Sequence, residues 1–74
     1  MQSVVDATAE RVALSPQDLL VLQDLAAGRT LDVIARRQHL SERSIRRRVK
    51  RACETLGVET GIEAVVRAVR LGLI

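Results

Sequence analysis

The chain contains no phenylalanine, tryptophan or tyrosine among its 74 residues, and it has one cysteine, one histidine and one proline. Proteins that read single-stranded nucleic acid stack bases on aromatic rings, so the composition argues against that class. One cysteine and one histidine are too few for a structural zinc site, and a lone cysteine cannot form an internal disulfide. The sequence therefore predicts no metal, no cofactor and a reducing, cytoplasmic environment.

Long apolar runs and enzyme motifs are missing as well. No uncharged stretch approaches the roughly 20 residues that a membrane span needs. Residues 1–12 carry charges where a signal peptide has its apolar centre. Paired carboxylates, a nucleophile with its base and a phosphate-cradling glycine loop are all absent. We therefore expect one small globular domain that is not an enzyme, contacts no membrane and binds no small molecule.

Positive charge is concentrated in one short segment. Residues 43–51 contain six cations and no acid, whereas the remaining six cations and nine acids of the chain give −3. Solvated helix faces usually mix both signs, and this segment does not. A basic segment on a slightly acidic body indicates a site for a polyanion.

Helix start and stop signals divide the chain into four helices without any strand-like alternation. The residues that are suited to cap helix starts are Ser15, Thr30, Ser41 and Thr60. The caps and the apolar spacing predict helices at 16–27, 31–37, 42–56 and 61–71, after a tail or linker at 1–13. The apolar stripe expected to face inward from the first helix comprises Leu19, Leu22, Leu25 and Ala26. The tight connection between helices two and three predicts a helix-turn-helix in an all-α domain.

The third helix is predicted to have two distinct faces. At about 100° per residue, its aliphatic residues lie on one side and its cations on the other. The major groove of B-DNA is about 12 Å wide and admits one such helix. Residues near the centre of the cationic side are predicted to contact base edges: Arg43, Arg46, Arg47 and Lys50. Residues on its flanks or at helix starts are predicted to contact phosphates: Thr30, Ser41, Ser44, Arg48 and Arg51.

The fourth helix has apolar residues on two sides. Ala64, Ala68 and Leu71 lie on one side, and the other carries Ile62, Val65, Val66 and Val69. A surface helix of a small domain needs one apolar face, so a second face implies a partner. We predict that the second set forms a dimer interface, although the pattern leaves open which face the dimer uses.

Three single residues have open or modest roles. Asp18 can cap the first helix or pair with Arg36, Arg37 or an arginine of helix three. His39 is expected to be a solvated turn residue. Cys53 is expected to fill the core as a small apolar side chain.

Short blocks follow one another in a specific order: LSPQD at 14–18, VL at 21–22, LAAG at 25–28, IARR at 34–37, LSERSIR at 40–46, Val49, LGV at 56–58, and EAV at 63–65 through RLGLI at 70–74. In order and spacing they resemble the LuxR/GerE-type helix-turn-helix domain of bacterial transcription regulators, over residues 14–74. The resemblance implies a four-helix domain in which helix three is the recognition helix and helix four often mediates dimerisation. The chain departs from the usual Glu, Glu, His and Lys of the family at Asp18, Val33, Arg48 and Thr55.

The leading hypothesis is sequence-specific binding of double-stranded DNA by a weak homodimer that regulates bacterial transcription. The alternative is a protein-interaction module that docks on another regulator or on RNA polymerase through helix four. Binding to duplex DNA at low salt distinguishes the two. A membrane-surface helix is a weaker alternative, because the core needs the apolar side of helix three.

Overall fold

A computed structural model describes residues 14–74, and this part of the chain folds into four α-helices without a β-strand. The helices are α1 (Pro16–Ala26), α2 (Leu31–Gln38), α3 (Glu42–Leu56) and α4 (Gly61–Arg70). Each predicted helix is confirmed to within one residue at either end. The predicted tail at 1–13 lies outside the described residues. Between residues 14 and 74 no helix is both long and apolar enough to cross a membrane.

Three of the four predicted caps form as expected. The side-chain oxygens of Ser15, Ser41 and Thr60 each accept a hydrogen bond from the backbone N–H three residues later. At α4 the cap is reciprocal, because Glu63 also accepts from the backbone N–H of Thr60 at 3.0 Å. These bonds satisfy N–H groups that the first turn of a helix leaves without partners.

Thr30 is the exception among the caps. It occupies the cap position of α2, but its hydroxyl makes no capping bond to the backbone. The hydroxyl instead donates to the carboxylate of Asp32 in the first turn. The predicted position is therefore right and the predicted hydrogen bond is wrong, since the Thr30 hydroxyl is turned toward Asp32 and accepts no backbone N–H.

The turn between α2 and α3 depends on one residue with left-handed backbone. His39 ends α2 with φ 58° and ψ 43°, a left-handed conformation that is uncommon for residues other than glycine but in which Asn, Asp and His are enriched. The next residue, Leu40, donates its N–H back to the carbonyl of Ala35 at 2.8 Å. His39 itself is exposed, as expected for a turn residue. The reversal places α3 across α2, with Ser41 capping its start.

The core consists of two clusters that meet along α3. The first joins α1, α3 and α4 through Leu22, Ala52, Cys53, Leu56, Ala64 and Ala68. The second joins α1, α2 and α3 through Val21, Ile34, Ala35 and Ile45. Val49 and Leu25 pack against both clusters. The apolar side of α3 is therefore held from two directions, which fixes how its other side is presented.

The buried face of α1 differs from the predicted stripe. Leu22 is fully buried, but Leu19 and Leu25 are only half-buried and Ala26 is exposed. The other buried residues of the helix are Asp18, Val21 and Asp24. The reason is that α1 packs against all three other helices, α2, α3 and α4. The buried face is therefore wider than one leucine stripe and includes two carboxylates.

Candidate nucleic-acid interface

The four residues predicted to contact base edges lie together on the exposed side of α3. Arg43, Arg46, Arg47 and Lys50 are all exposed, and we call them the cationic face. The only ion pair among them within the described residues joins Arg46 to Glu42, with nitrogen and oxygen 3.5 Å apart on largely exposed side chains. Exposed pairs of this kind contribute little free energy, so Arg46 is readily available to a ligand.

One flank of α3 is tied to the start of α1 by a buried carboxylate. Arg51 donates to Asp18 from Nε at 3.0 Å and from Nη2 at 2.9 Å, and Nη1 of Arg48 lies 3.7 Å from the same carboxylate. The Asp18 side chain is only 3% exposed. The hydrogen bond from Arg51 holds the pKa of Asp18 below its ordinary value, although burial acts in the opposite direction. Of the partners left open by the sequence, the structure selects arginines of helix three.

The residues predicted to contact phosphates on this flank come together. Ser44, Arg48 and Arg51 line a cleft of about 120 Å³, together with Arg47 from the cationic face. The bidentate pair with Asp18 uses two of the five N–H groups of Arg51, so three remain for a further acceptor. A cleft lined by three guanidinium groups and a hydroxyl is chemically suited to a phosphate.

Ser41 and Thr30 occupy helix starts, as predicted, but their hydroxyls are already engaged. Ser41 accepts from the backbone N–H of Ser44 and donates its proton to the Ser44 hydroxyl, both at 3.1 Å. Thr30 donates to Asp32. A phosphate at either helix start would therefore meet mainly backbone N–H groups, which helix starts direct toward anions.

A second buried carboxylate, which the sequence reading missed, holds α2 in place. Asp24 accepts from Nη1 of Arg29 and Nε2 of Gln38, each at 3.2 Å, and Nε of Arg37 lies 3.5 Å away. The position of Asp24 in the sequence could have identified it as a buried acid, because it lies three residues after Val21 and adjoins the inward face of α1. An acid there requires cationic partners. Each helix of the helix-turn-helix is thus tied to α1 by one acid.

Comparison with known families identifies this arrangement. Residues 12–68 match the GerE family, described as bacterial regulatory proteins of the luxR family. This chain belongs to the LuxR family. No curated protein and no solved structure gives a match. Because the LuxR family comprises DNA-binding regulatory proteins, membership supports DNA as a partner and transcription regulation as the general function.

In this LuxR-family domain the outer side of α4 is partly covered by the domain itself. Ile62, Val66 and Val69 are 80%, 43% and 53% exposed. Val65 differs from the other predicted interface residues, because it is half-buried and packs against the first core cluster. Beside the exposed side chains, Arg67 and Arg70 line one edge of a shallow groove of about 260 Å³. The exposed apolar set on α4 therefore has three members.

Cys53 of the LuxR-family domain is a core residue, as expected. It is 7% exposed and belongs to the first cluster. Burial raises the pKa of its thiol, and the nearby carboxylates of Glu63 and Glu54 raise the pKa further. The thiol is therefore held in its neutral, unreactive form.

Proposed function

We propose that the domain binds double-stranded DNA sequence-specifically, with α3 in the major groove, and regulates transcription in this way. The observation that carries the proposal is the run of six cations at 43–51, on a helix whose opposite side forms the core. Because both core clusters hold α3, the helix that bears the cationic face needs no further ordering of its backbone. Such preorganisation reduces the entropy lost on binding.

The cationic face supplies groups that read base edges. From Arg43 to Lys50 the helix rises about 10 Å, which corresponds to about three base-pair steps. The planar guanidinium of Arg46 or Arg47 fits the O6 and N7 acceptors of guanine. We therefore propose that Arg43, Arg46, Arg47 and Lys50 face the bases.

The flanks of α3 supply groups that fix the register on the DNA backbone. We propose that one phosphate lies in the cleft lined by Ser44, Arg48 and Arg51, where Asp18 orients the Arg51 guanidinium. Other phosphates meet the backbone N–H groups at the two helix starts marked by Ser41 and Thr30. Phosphate contacts position a protein without reading sequence.

A salt series with labelled duplex DNA tests this proposal. Fluorescence anisotropy on a random duplex and on a duplex selected from a random pool should both show binding at about 50 mM salt. The logarithm of the binding constant should fall linearly with the logarithm of salt concentration, with a slope of about −4 for four to five neutralised phosphates. No binding of either duplex at low salt would contradict the proposal and favour the protein-interaction module.

We further propose that a second copy of the chain covers the outer side of α4, so that the domain binds two half-sites as a weak dimer. The exposed apolar set of Ile62, Val66 and Val69 supports this proposal. Three side chains form a small patch compared with stable interfaces, which bury about 800 Å² on each partner. Dimerisation through this patch alone is therefore weak, and two half-sites should lie about 10 bp apart.

Replacing Val66 with aspartate should weaken dimerisation about tenfold, because it places a charge in an apolar contact. Sedimentation equilibrium measures the dimer, and anisotropy should show weaker binding to a duplex with two half-sites but unchanged binding to one. Leu20→Asp is the matched control, since Leu20 is 51% exposed on α1. Equal behaviour of both variants would remove α4 as the dimer face and favour docking on another regulator or on RNA polymerase.

A further inference from the structure

The side of α3 that bears the cationic face also carries one acid, and this acid lies in the last turn. At about 100° per residue, Glu54 falls between Arg43 and Arg47 and lies one turn beyond Lys50. Its side chain is exposed and forms no ion pair with any residue between 14 and 74. The charge of Glu54 thus interrupts the face at its C-terminal end.

No stabilising contact in the described structure explains this acid. The last turn of α3 contains no basic residue, and an acid near a helix C-terminus interacts unfavourably with the helix dipole. Lys50 precedes Glu54 by four residues, which is the less favourable order for such a pair. The side chain contributes nothing evident to the fold, so its charge is free to act on a ligand.

Glu54 also borders a groove lined by charges of both signs. The groove, of about 450 Å³, is lined by Arg46 and Lys50 and, nearer the C-terminal end of α3, by Glu54; Glu59 also lines it. Both glutamates are exposed. A DNA backbone that follows the cations toward the end of α3 would therefore meet two negative charges.

The length of α3 makes the position of this charge important. Glu54 lies about 20 Å along the helix from Ser41, whereas the major groove is only about 8.5 Å deep. Recognition helices contact base edges mainly with their N-terminal residues. In the pose proposed above, Glu54 lies one turn beyond Lys50, at the end of the contacted stretch of α3, so fewer phosphates surround it than surround the cationic face. When α3 lies lengthwise along the backbone, Glu54 is pressed against phosphates.

We infer that Glu54 is a specificity-determining residue, which disfavours DNA poses that engage the C-terminal half of α3. The inference rests on the proposed binding of DNA by α3. Non-specific binding depends almost entirely on phosphate electrostatics, so it admits many poses along a basic helix. A fixed negative charge weakens those poses more than the one pose that reads bases. Specificity of this kind comes from repulsion of the wrong complex.

Three substitutions distinguish the effect of the Glu54 charge from the effects of its side-chain shape and of the net charge of the domain. Glu54→Gln removes the charge and keeps the side-chain length, whereas Glu54→Asp keeps the charge. Glu63→Gln makes the same change in net charge away from the cationic face, and glutamine at this position preserves the capping box of α4. Thermal unfolding followed by circular dichroism confirms that each variant is folded.

Dissociation constants are measured by anisotropy for the selected duplex and for a random duplex. With Glu54→Gln, affinity for the random duplex should rise about three- to tenfold and affinity for the selected duplex less than about twofold. The ratio of the dissociation constant for the random duplex to that for the selected duplex therefore becomes smaller. Glu54→Asp and Glu63→Gln should keep the ratio of the unaltered chain.

An unchanged ratio with Glu54→Gln would overturn the inference. Loss of the base preference at a single position of the selected duplex would also overturn it. That result would make Glu54 a direct acceptor from a cytosine amino group. If Glu63→Gln lowered this ratio by the same factor, the effect would come from net charge, and the inference about Glu54 would be wrong. Failure of the unaltered chain to bind either duplex would instead overturn the proposed function.

Discussion

Replacing Arg47 and Lys50 together with glutamate lowers the affinity for the selected duplex by at least about a hundredfold. Each lost base contact costs about 1–3 kcal/mol, and each new carboxylate repels the phosphates beside the groove. The salt slope should change much less than the affinity, because both residues are proposed to contact bases rather than phosphates. Anisotropy with a labelled duplex measures both quantities.

The matched control places the same charge change on another helix. Arg67 and Arg70 are exposed on α4, and replacing both with glutamate alters net charge by the same amount. Affinity for a duplex with one half-site should stay within about threefold of the unaltered chain, because long-range effects of exposed charges are screened. If both double variants weaken binding equally, net charge rather than α3 governs binding and the proposed recognition helix is wrong.

Replacing Asp18 with asparagine lowers the free energy of unfolding by about 1–3 kcal/mol, because two arginines lose their shared carboxylate. We expect the lower half of that range, since Arg51 is half-exposed and water can solvate it. For a domain of this size such a loss is a large fraction of total stability. Urea unfolding followed by circular dichroism measures it, as the chain has no tryptophan or tyrosine to report by fluorescence.

The same carboxylate makes stability depend on acid. The pKa of Asp18 is lower in the folded chain than its ordinary value, so its contribution is complete above about pH 4 and is lost as pH falls through the lowered pKa. The asparagine variant should lack this part of the acid dependence. Glu59→Gln is the control, because the exposed Glu59 side chain forms no ion pair within residues 14–74. Equal urea midpoints for the Asp18 variant and the unaltered chain would contradict the stabilising role given to the Asp18 carboxylate.

The helices and their caps could be predicted from the sequence because their signals are local. A serine or threonine and the N–H that it binds are three residues apart, and the apolar side of α3 repeats within each turn. The cationic face was predictable for the same reason, since all its residues lie on one helix. The family resemblance, carried by short blocks in a specific order, is confirmed by the match over residues 12–68.

What the sequence could not provide depends on residues far apart in the chain. Arg51 is 33 residues from Asp18, and Gln38 is 14 residues from Asp24. Several arginines were equally plausible partners for Asp18 until the packing of α1 against α3 selected among them. Val65 was assigned to the outer side of α4 from its angle alone. Its actual burial depends on how closely the helix approaches its neighbours.

The first core cluster has a consequence for synthesis of the protein on the ribosome. Leu22 of α1 and Leu56 of α3 share this cluster with Ala64 and Ala68 of α4. A nascent chain that ends before residue 61 therefore exposes an open apolar surface beside its arginine-rich helix. The alanines of α4 complete this cluster only after residues 61–70 have been synthesised, whereas the second cluster needs no residue of α4. Incomplete chains consequently carry the basic segment on a domain whose first core cluster is still open.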